Sequence, residues 1–228
     1  MTMDANGFQR ARDAFVAAYT ILDELAASLT DEQLLSASRC RGWAVCDVLC
    51  HLDFGMQEIL VGFASPTARP ADTDVASYWR DCCAPGEPDL GHARFTRLVA
   101  SAYARPSGVV RHLHLTTGAA LRLARAADAD RRLEFQGHVV TMEVFLALWA
   151  VEAAVHHLDV TVELPDAPAP APASLRVTRE TLDALLGERE PVGWDDATYA
   201  LKGTGRLPLT GEEARALGPL AERFPLFG

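Results

Sequence analysis

The run Trp149-Ala150-Val151-Glu152-Ala153-Ala154-Val155-His156-His157-Leu158-Asp159 sets a carboxylate and an imidazole one turn apart in a helix that is otherwise apolar. Residues four apart share a helix face, and Asp159 follows three residues after His156 on the same side. Burying a carboxylate and an imidazole is costly unless each has a partner. Whatever this helix packs against must therefore satisfy the stripe, and a metal ion would satisfy all three groups.

The first 164 residues contain the packing partners. Phe8, Phe15, Leu22 and Leu29 recur every seven residues, with Ala11, Ala18 and Leu25 three positions further on, the pattern of a helix with one buried seam. A second helix is expected from near Gly42-Trp43 to Phe63, burying Val45, Val48, Leu49, Leu52, Met56, Ile59 and Phe63, with Ser65-Pro66 ending it. Helical patterning returns from Gly91 to about Ala127, where Pro106 either kinks one helix or separates two. The fourth long helix starts at Thr141 as N-cap, with Glu143 in its first turn, and runs to about Val162. Residues 64–90, rich in Pro, Asp and Gly with a short helix around Val75 to Cys82, form a long crossover suited to covering a site. Together these segments predict a mainly α protein, an up-and-down-type four-helix bundle.

Past Leu164 the run Pro-Asp-Ala-Pro-Ala-Pro-Ala-Pro-Ala is a semi-rigid spacer. A helix near Leu175 to Leu186, an irregular or hairpin-like stretch around Tyr199 to Leu209 and a helix from about Gly211 are expected to follow. The chain thus divides into a helical bundle over residues 1–164 and a small C-terminal appendage over residues 165–228, too short to fold alone.

With 21 Lys+Arg against 31 Asp+Glu, the formal net charge is -10. No basic patch offsets it, which argues against nucleic acid as a partner. No apolar run reaches membrane-spanning length and no signal-peptide pattern opens the chain, so no membrane partner is expected. Cys40, Cys46, Cys50, Cys82 and Cys83 are odd in number and lack zinc-ribbon spacing, as free thiols in a reducing cytoplasm would. Cys46 and Cys50, four apart on the second helix, are read as small buried hydrophobes, with a metal site as the alternative.

A metal needs a ligand from more than one helix. His51 on the second helix lies about 100° round from buried Leu52, and His156 stands in the same relation to Val155, so both flank the bundle seam. Two histidines and a glutamate suit zinc or a similar divalent ion, and three protein ligands leave a position open, as in catalytic rather than structural sites. Spacing alone leaves two plainer readings open, a satisfied core histidine and a helix-face contact. Asp159 and Asp47 are candidates to orient the liganding histidines from behind, or else are capping or solvent-facing carboxylates. His157 points about 100° away from His156 and is left out of the site, as are His112 and His114. Gly55, one turn beyond His51, either clears room for a ligand or allows close helix packing.

Gly42-Trp43-Ala44-Val45-Cys46-Asp47-Val48-Leu49-Cys50-His51-Leu52 resembles the Gly-Trp-Thr/Ser-Val-x-Asp-Val-x-x-His-Leu segment of the mycothiol-dependent maleylpyruvate isomerase family, within the DinB-like four-helix superfamily. Trp149 through Asp159 resembles that family's second signature, Glu-x-x-x-His-x-x-Asp. The two segments stand in the family's order, and the resemblance spans roughly residues 8 to 162. It implies a DinB-like bundle, a divalent metal (Zn2+) held by His51, Glu152 and His156 with water or a thiol completing the shell, and mycothiol as the thiol cosubstrate. Two departures are visible. Ala44 stands where the family often has a Thr or Ser N-cap, a loss of about 1 kcal/mol at the helix start that leaves the ligands untouched. The C-terminal stretch Leu201 to Thr210 resembles short members rather than the longer α/β tail of the isomerases proper.

A dication with an open position favours thiolate over thiol. The expected function is therefore a metal-dependent thiol S-transferase or isomerase acting on a small electrophile, with Arg206 as a candidate to grip a carboxylate of thiol or substrate. A non-catalytic binding or stress-associated protein and a metal-dependent hydrolase are the alternatives.

Overall fold

The structure is a computed structural model describing residues 5–82 and 90–227; the part of the crossover that includes Cys83 lies outside the described residues. Four long helices form the bundle: α1 (Ala5–Ser28), α3 (Val45–Phe63), α6 (Ser107–Arg125) and α7 (Met142–Val160), with a single-turn α2 (Asp31–Leu34) between the first two. Around the bundle α1 neighbours α6 and α7, and α3 neighbours the same two, so α1 and α3 are diagonal. The apolar seams read from the sequence are buried: Phe8, Phe15, Leu22 and Leu25 on α1, and Val45 to Phe63 on α3.

The helix directions differ from an up-and-down bundle. Gly7 lies against Glu143 at the start of α7, and the far ends of both helices share a surface cleft at Leu29 and Leu164, so α1 and α7 run parallel. On α3, Gly62 meets Phe145, Gly55 meets Trp149 and His51 meets Glu152, which makes α3 antiparallel to α7. Asp53 accepts from Thr116 at 2.8 Å and Arg131, just past α6, donates to the Phe63 carbonyl at 3.1 Å, so α3 and α6 are parallel. Two parallel neighbours need a connection that returns the full length of the bundle. Residues 64–106 make that return through β1 (Pro66–Thr67), α4 (Val75–Cys82) and α5 (Leu90–Ser101), with Pro106 separating α5 from α6 rather than kinking one helix.

A small sheet closes the opposite end. β2 (Arg132–Phe135) and β3 (His138–Thr141) pair antiparallel with Leu133 opposite Val140, and β1 adds to the outer edge of β2. The two turn residues, Gln136 at φ 47° and Gly137 at φ 85°, both have positive φ, the arrangement that matches strand twist in a two-residue hairpin. Thr141 ends β3 and also caps α7, accepting from the Val144 amide at 3.2 Å.

α7 is buried at every position except Glu143, Val144, Glu152 and Leu158. It needs that many apolar faces because α1, α3 and α8 (Pro172–Leu186) pack around it. In the C-terminal region, α9 (Asp196–Gly203) takes the first part of the stretch expected to be irregular or hairpin-like, because Asp195 caps a helix by accepting from Thr198, and residues 204–209 are irregular. α10 (Gly211–Leu217) and a 3-10 turn (Gly218–Arg223) follow. Leu182, Leu186, Tyr199 and Phe227 join the same continuous core as the bundle, with Phe227 stacked on Trp79 at 4.6 Å. Among the described residues no helix is long and apolar enough to cross a membrane.

The contact between Gly62 and the Phe145 ring gives a stability prediction. A Cβ at Gly62 would lie 2.7 Å from the Phe145 ring, itself fully buried. Gly62→Leu gains about 1 kcal/mol of helix propensity but overpacks the interface by about 1 to 3 kcal/mol or more for so large a side chain, so the urea midpoint should fall.

Candidate metal centre

α3 and α7 bring His51, Glu152 and His156 together at the bundle end where α1 finishes. His51 Nε2 lies 2.9 Å from Glu152 Oε1, and His156 Nε2 lies 3.1 Å from the same oxygen. One ligand atom from each residue falls within a 4.8 Å group, and the two imidazole rings sit edge to face at 4.9 Å. Donors on a tetrahedral ion with bonds of about 2.0 to 2.1 Å are roughly 3.3 Å apart. Two nitrogens and one carboxylate oxygen, each nitrogen already about this far from the oxygen, are a donor set that suits a divalent ion.

The partners behind the cluster fix its orientation. Asp159, fully buried, lies 3.0 Å from His156 Nδ1, which turns His156 Nε2 toward Glu152. His51 Nδ1 meets His92 Nε2 at 3.1 Å, with Trp43 packed against the His51 ring at 5.6 Å. Neither His92 nor Trp43 is part of the ligand set read from the sequence; His92 sits beyond the crossover with no helical period tying it to the motif. Asp47 is placed elsewhere: its Oδ2 accepts from the Ala44 amide at 2.9 Å, supplying the cap answer without a capping hydroxyl, and it faces a separate cavity with Arg94 and Arg97.

Arg206 turns inward rather than toward a ligand. Its Nε and Nη2 donate to Asp159 at 3.2 Å and its Nη1 to the Thr204 carbonyl at 3.0 Å, so an internal carboxylate takes the grip that the sequence assigned to a substrate. Cys40 donates to Asp159 Oδ2 at 3.2 Å. Cys40, His156 and Asp159 form a second group of donors. There a cation would have to compete with the Arg206 guanidinium for Asp159, which favours the His51 group.

Charge is distributed accordingly. Burial pushes the Glu152 carboxyl up, but the His156 cation and hydrogen bonds from both histidines hold it well below the usual carboxylate range. Burial pushes His156 down, yet Glu152 and the hydrogen bond to Asp159 hold it well above its usual value. Asp159, raised by burial, is brought down to about 2 by His156 and Arg206.

The remaining candidates have ordinary explanations. His157 bonds the Pro168 carbonyl at 2.7 Å, His112 the Tyr103 hydroxyl at 2.6 Å and His114 the Asp23 carboxylate at 2.8 Å. Cys46 and Cys50 are buried, and burial together with nearby carboxylates pushes their thiols up to about 11 and about 12. Space beside Gly55 is filled by the Trp149 ring, 2.7 Å from where a Cβ would stand.

On the side of the cluster away from Asp159 opens a cavity of about 470 Å³ bounded by His51, Glu152 and His92 and walled by aromatic side chains of α3, α4, β2 and α7. The fold and this site define a class: a helical bundle carrying a two-histidine, one-carboxylate cluster at the edge of a cavity. Residues 15–161 match the family described as the mycothiol maleylpyruvate isomerase N-terminal domain, and the chain belongs to that family. No curated protein and no solved structure gives a significant match to it.

Two predictions come from this charge arrangement. Arg206→Met strands the buried Asp159 and should cost about 3 kcal/mol in urea unfolding, while Asp159→Asn combined with Arg206→Met should cost less than the two single changes added. In chelator-treated protein, the raised His156 contributes stability in full below its ordinary 6.5 and loses it as pH climbs through the folded value. Asp159 contributes above its ordinary 3.8 and loses that as pH falls through about 2. Thermal melts of the metal-free protein should therefore peak between those two ordinary values and decline as pH rises through the folded value of His156, with a flatter decline in His156→Gln.

Proposed function

We propose that the chain is a divalent-metal-dependent enzyme, with zinc as the metal, that activates a low-molecular-weight thiol, mycothiol, for transfer to or isomerisation of a small electrophile. The observation that carries this reading is the meeting of two histidine Nε2 atoms on one glutamate oxygen at the mouth of a cavity, in a member of a mycothiol isomerase family. A divalent ion held by His51, Glu152 and His156 would lower the pKa of a thiol offered at its open position.

The chain's own residues prepare that step. Asp159 accepts from His156 Nδ1, so the nitrogen facing the cluster is the one that gives up its proton when a cation arrives. His92 holds His51 through Nδ1 and leaves its Nε2 for the cluster. Without a cation, the protonated His156 and Arg206 balance Glu152 and Asp159. A dication in place of that proton leaves one positive charge in excess, which favours an anionic fourth partner such as a thiolate over water. A thiolate adds to an activated double bond and leaves after rotation, or displaces a leaving group; both outcomes use the same three side chains.

Cobalt-substituted protein tests the reading. Adding mycothiol at millimolar concentration should produce a sulfur-to-metal charge-transfer band together with proton release, and His156→Ala should abolish metal binding while retaining most helicity. If no thiol gives the band and a water-derived product forms from an ester or amide, a hydrolase replaces the thiol enzyme.

A further inference from the structure

The cavity beside the cluster has a composition that selects among electrophiles. Its walls are the faces of Phe54, Tyr78, Trp79, Phe135 and Trp149, and its polar-to-apolar balance is strongly toward carbon. Tyr78 stacks on Phe135 at 5.8 Å and 26°, and Phe135 meets Trp149 edge to face at 5.7 Å, so the walls form one connected aromatic surface. Such surfaces hold flat rings through offset and edge-on contacts.

Among the described residues that line it, the acidic groups are Glu58 and Glu152, two are histidines (His51 and His92), and none is Lys or Arg. Residues 83–89, between α4 and α5, add Glu87 and Asp89 to the sequence but no Lys or Arg. The Arg206 guanidinium is committed to Asp159 on the far side of His156. At the end remote from the cluster, Tyr78 donates to Gln136 and Gln136 donates to Glu58, so these polar groups satisfy one another and leave a carboxylate there. A dicarboxylate, the class to which maleylpyruvate belongs, would reach the cluster with one charge at most. Its second charge would face Glu58 with no counter-ion.

We infer that the cavity takes an uncharged aromatic electrophile and rejects carboxylate substrates, with Glu58 as a residue that sets this selectivity. The inference rests on the cluster being the seat of the thiol chemistry proposed above. Binding is the part the cavity itself determines, so the test needs no turnover.

Equilibrium dialysis of chelator-treated protein, in which no ion can take the carboxylate directly, compares methyl 4-chloro-3-nitrobenzoate with 4-chloro-3-nitrobenzoate, which share the ring and the leaving group and differ by one negative charge. The ester should bind about tenfold more tightly than the acid, the effect of one like-charge contact. Glu58 is exposed, so Glu58→Arg leaves the core alone and should shrink that preference to about threefold or reverse it. Equal binding of the two probes, tighter binding of the acid, or a ratio unchanged by Glu58→Arg would overturn the inference. The cobalt band, measured on cobalt-substituted protein, separates the two readings. A thiol band with no preference for the ester sinks the cavity inference alone, and a clear preference with no thiol band sinks the thiol reading alone.

Discussion

Glu152 carries its charge into a helix that is packed on nearly every side, and the two imidazoles that meet its Oε1 make that burial tolerable. An unpaired carboxylate there would cost several kcal/mol. The partner on its own helix, His156, comes with the four-residue spacing; the partner on α3 does not, and its position depends on how the two helices are docked. Antiparallel packing sets His51 at the level of Glu152, and the same packing sets Gly55 against Trp149 about one turn further along α3 and Gly62 against Phe145 about three turns further along. The glycines leave room for those two rings between the helices, which fixes the level at which His51 meets Glu152. Site geometry and helix packing are thus one constraint seen at three levels along a single interface.

The second tier of that constraint runs through Asp159 to the C-terminal region. Asp159 is fully buried and accepts from His156, Cys40 and Arg206, while the Arg39 amide donates to its backbone carbonyl at 3.1 Å. Arg206 follows α9, so an ion pair buried behind the cluster also ties the last quarter of the chain to the end of α7. Removing the C-terminal region would leave Asp159 without its guanidinium and α7 without the cover of α8. The region is therefore part of what holds His156 in place, and it shares the bundle's core through Leu182, Leu186 and Tyr199.

Much of this was legible in the sequence where the signal is local. Heptad-spaced Phe8, Phe15 and Leu22, the Thr141 cap and the Glu152-His156-Asp159 stripe depend on neighbours within two turns, and the structure places each as the spacing implies. Helix direction is not local. Whether α3 and α6 run parallel depends on where a 43-residue connection ends, and amphipathic period carries no sign of direction. The hairpin at residues 132–141 escaped notice because its turn is Gln136-Gly137 rather than the commoner Asn-Gly, although Leu133 and Phe135 alternate with Arg132 and Glu134 as a half-buried strand should. His92 and Cys40 lie outside regular periods, and Arg206 finds its partner 47 residues away, so only the folded chain reveals them.

The two halves of the proposed activity fall on different parts of the fold. The three side chains that meet at the cluster come from α3 and α7, central bundle helices whose rotation and register are held by buried contacts along their whole length. The surfaces that face a ligand come largely from elements inside the connections: Tyr78 and Trp79 from α4, His92 from α5, and Phe135 and Gln136 from the hairpin. Connections tolerate change in ways that packed helices do not, because few core contacts cross them. A bundle of this kind can therefore keep one cluster while the crossover and hairpin are remade around it, and the charge of the cavity can depart from what the family's name suggests without any disturbance of His51, Glu152 and His156.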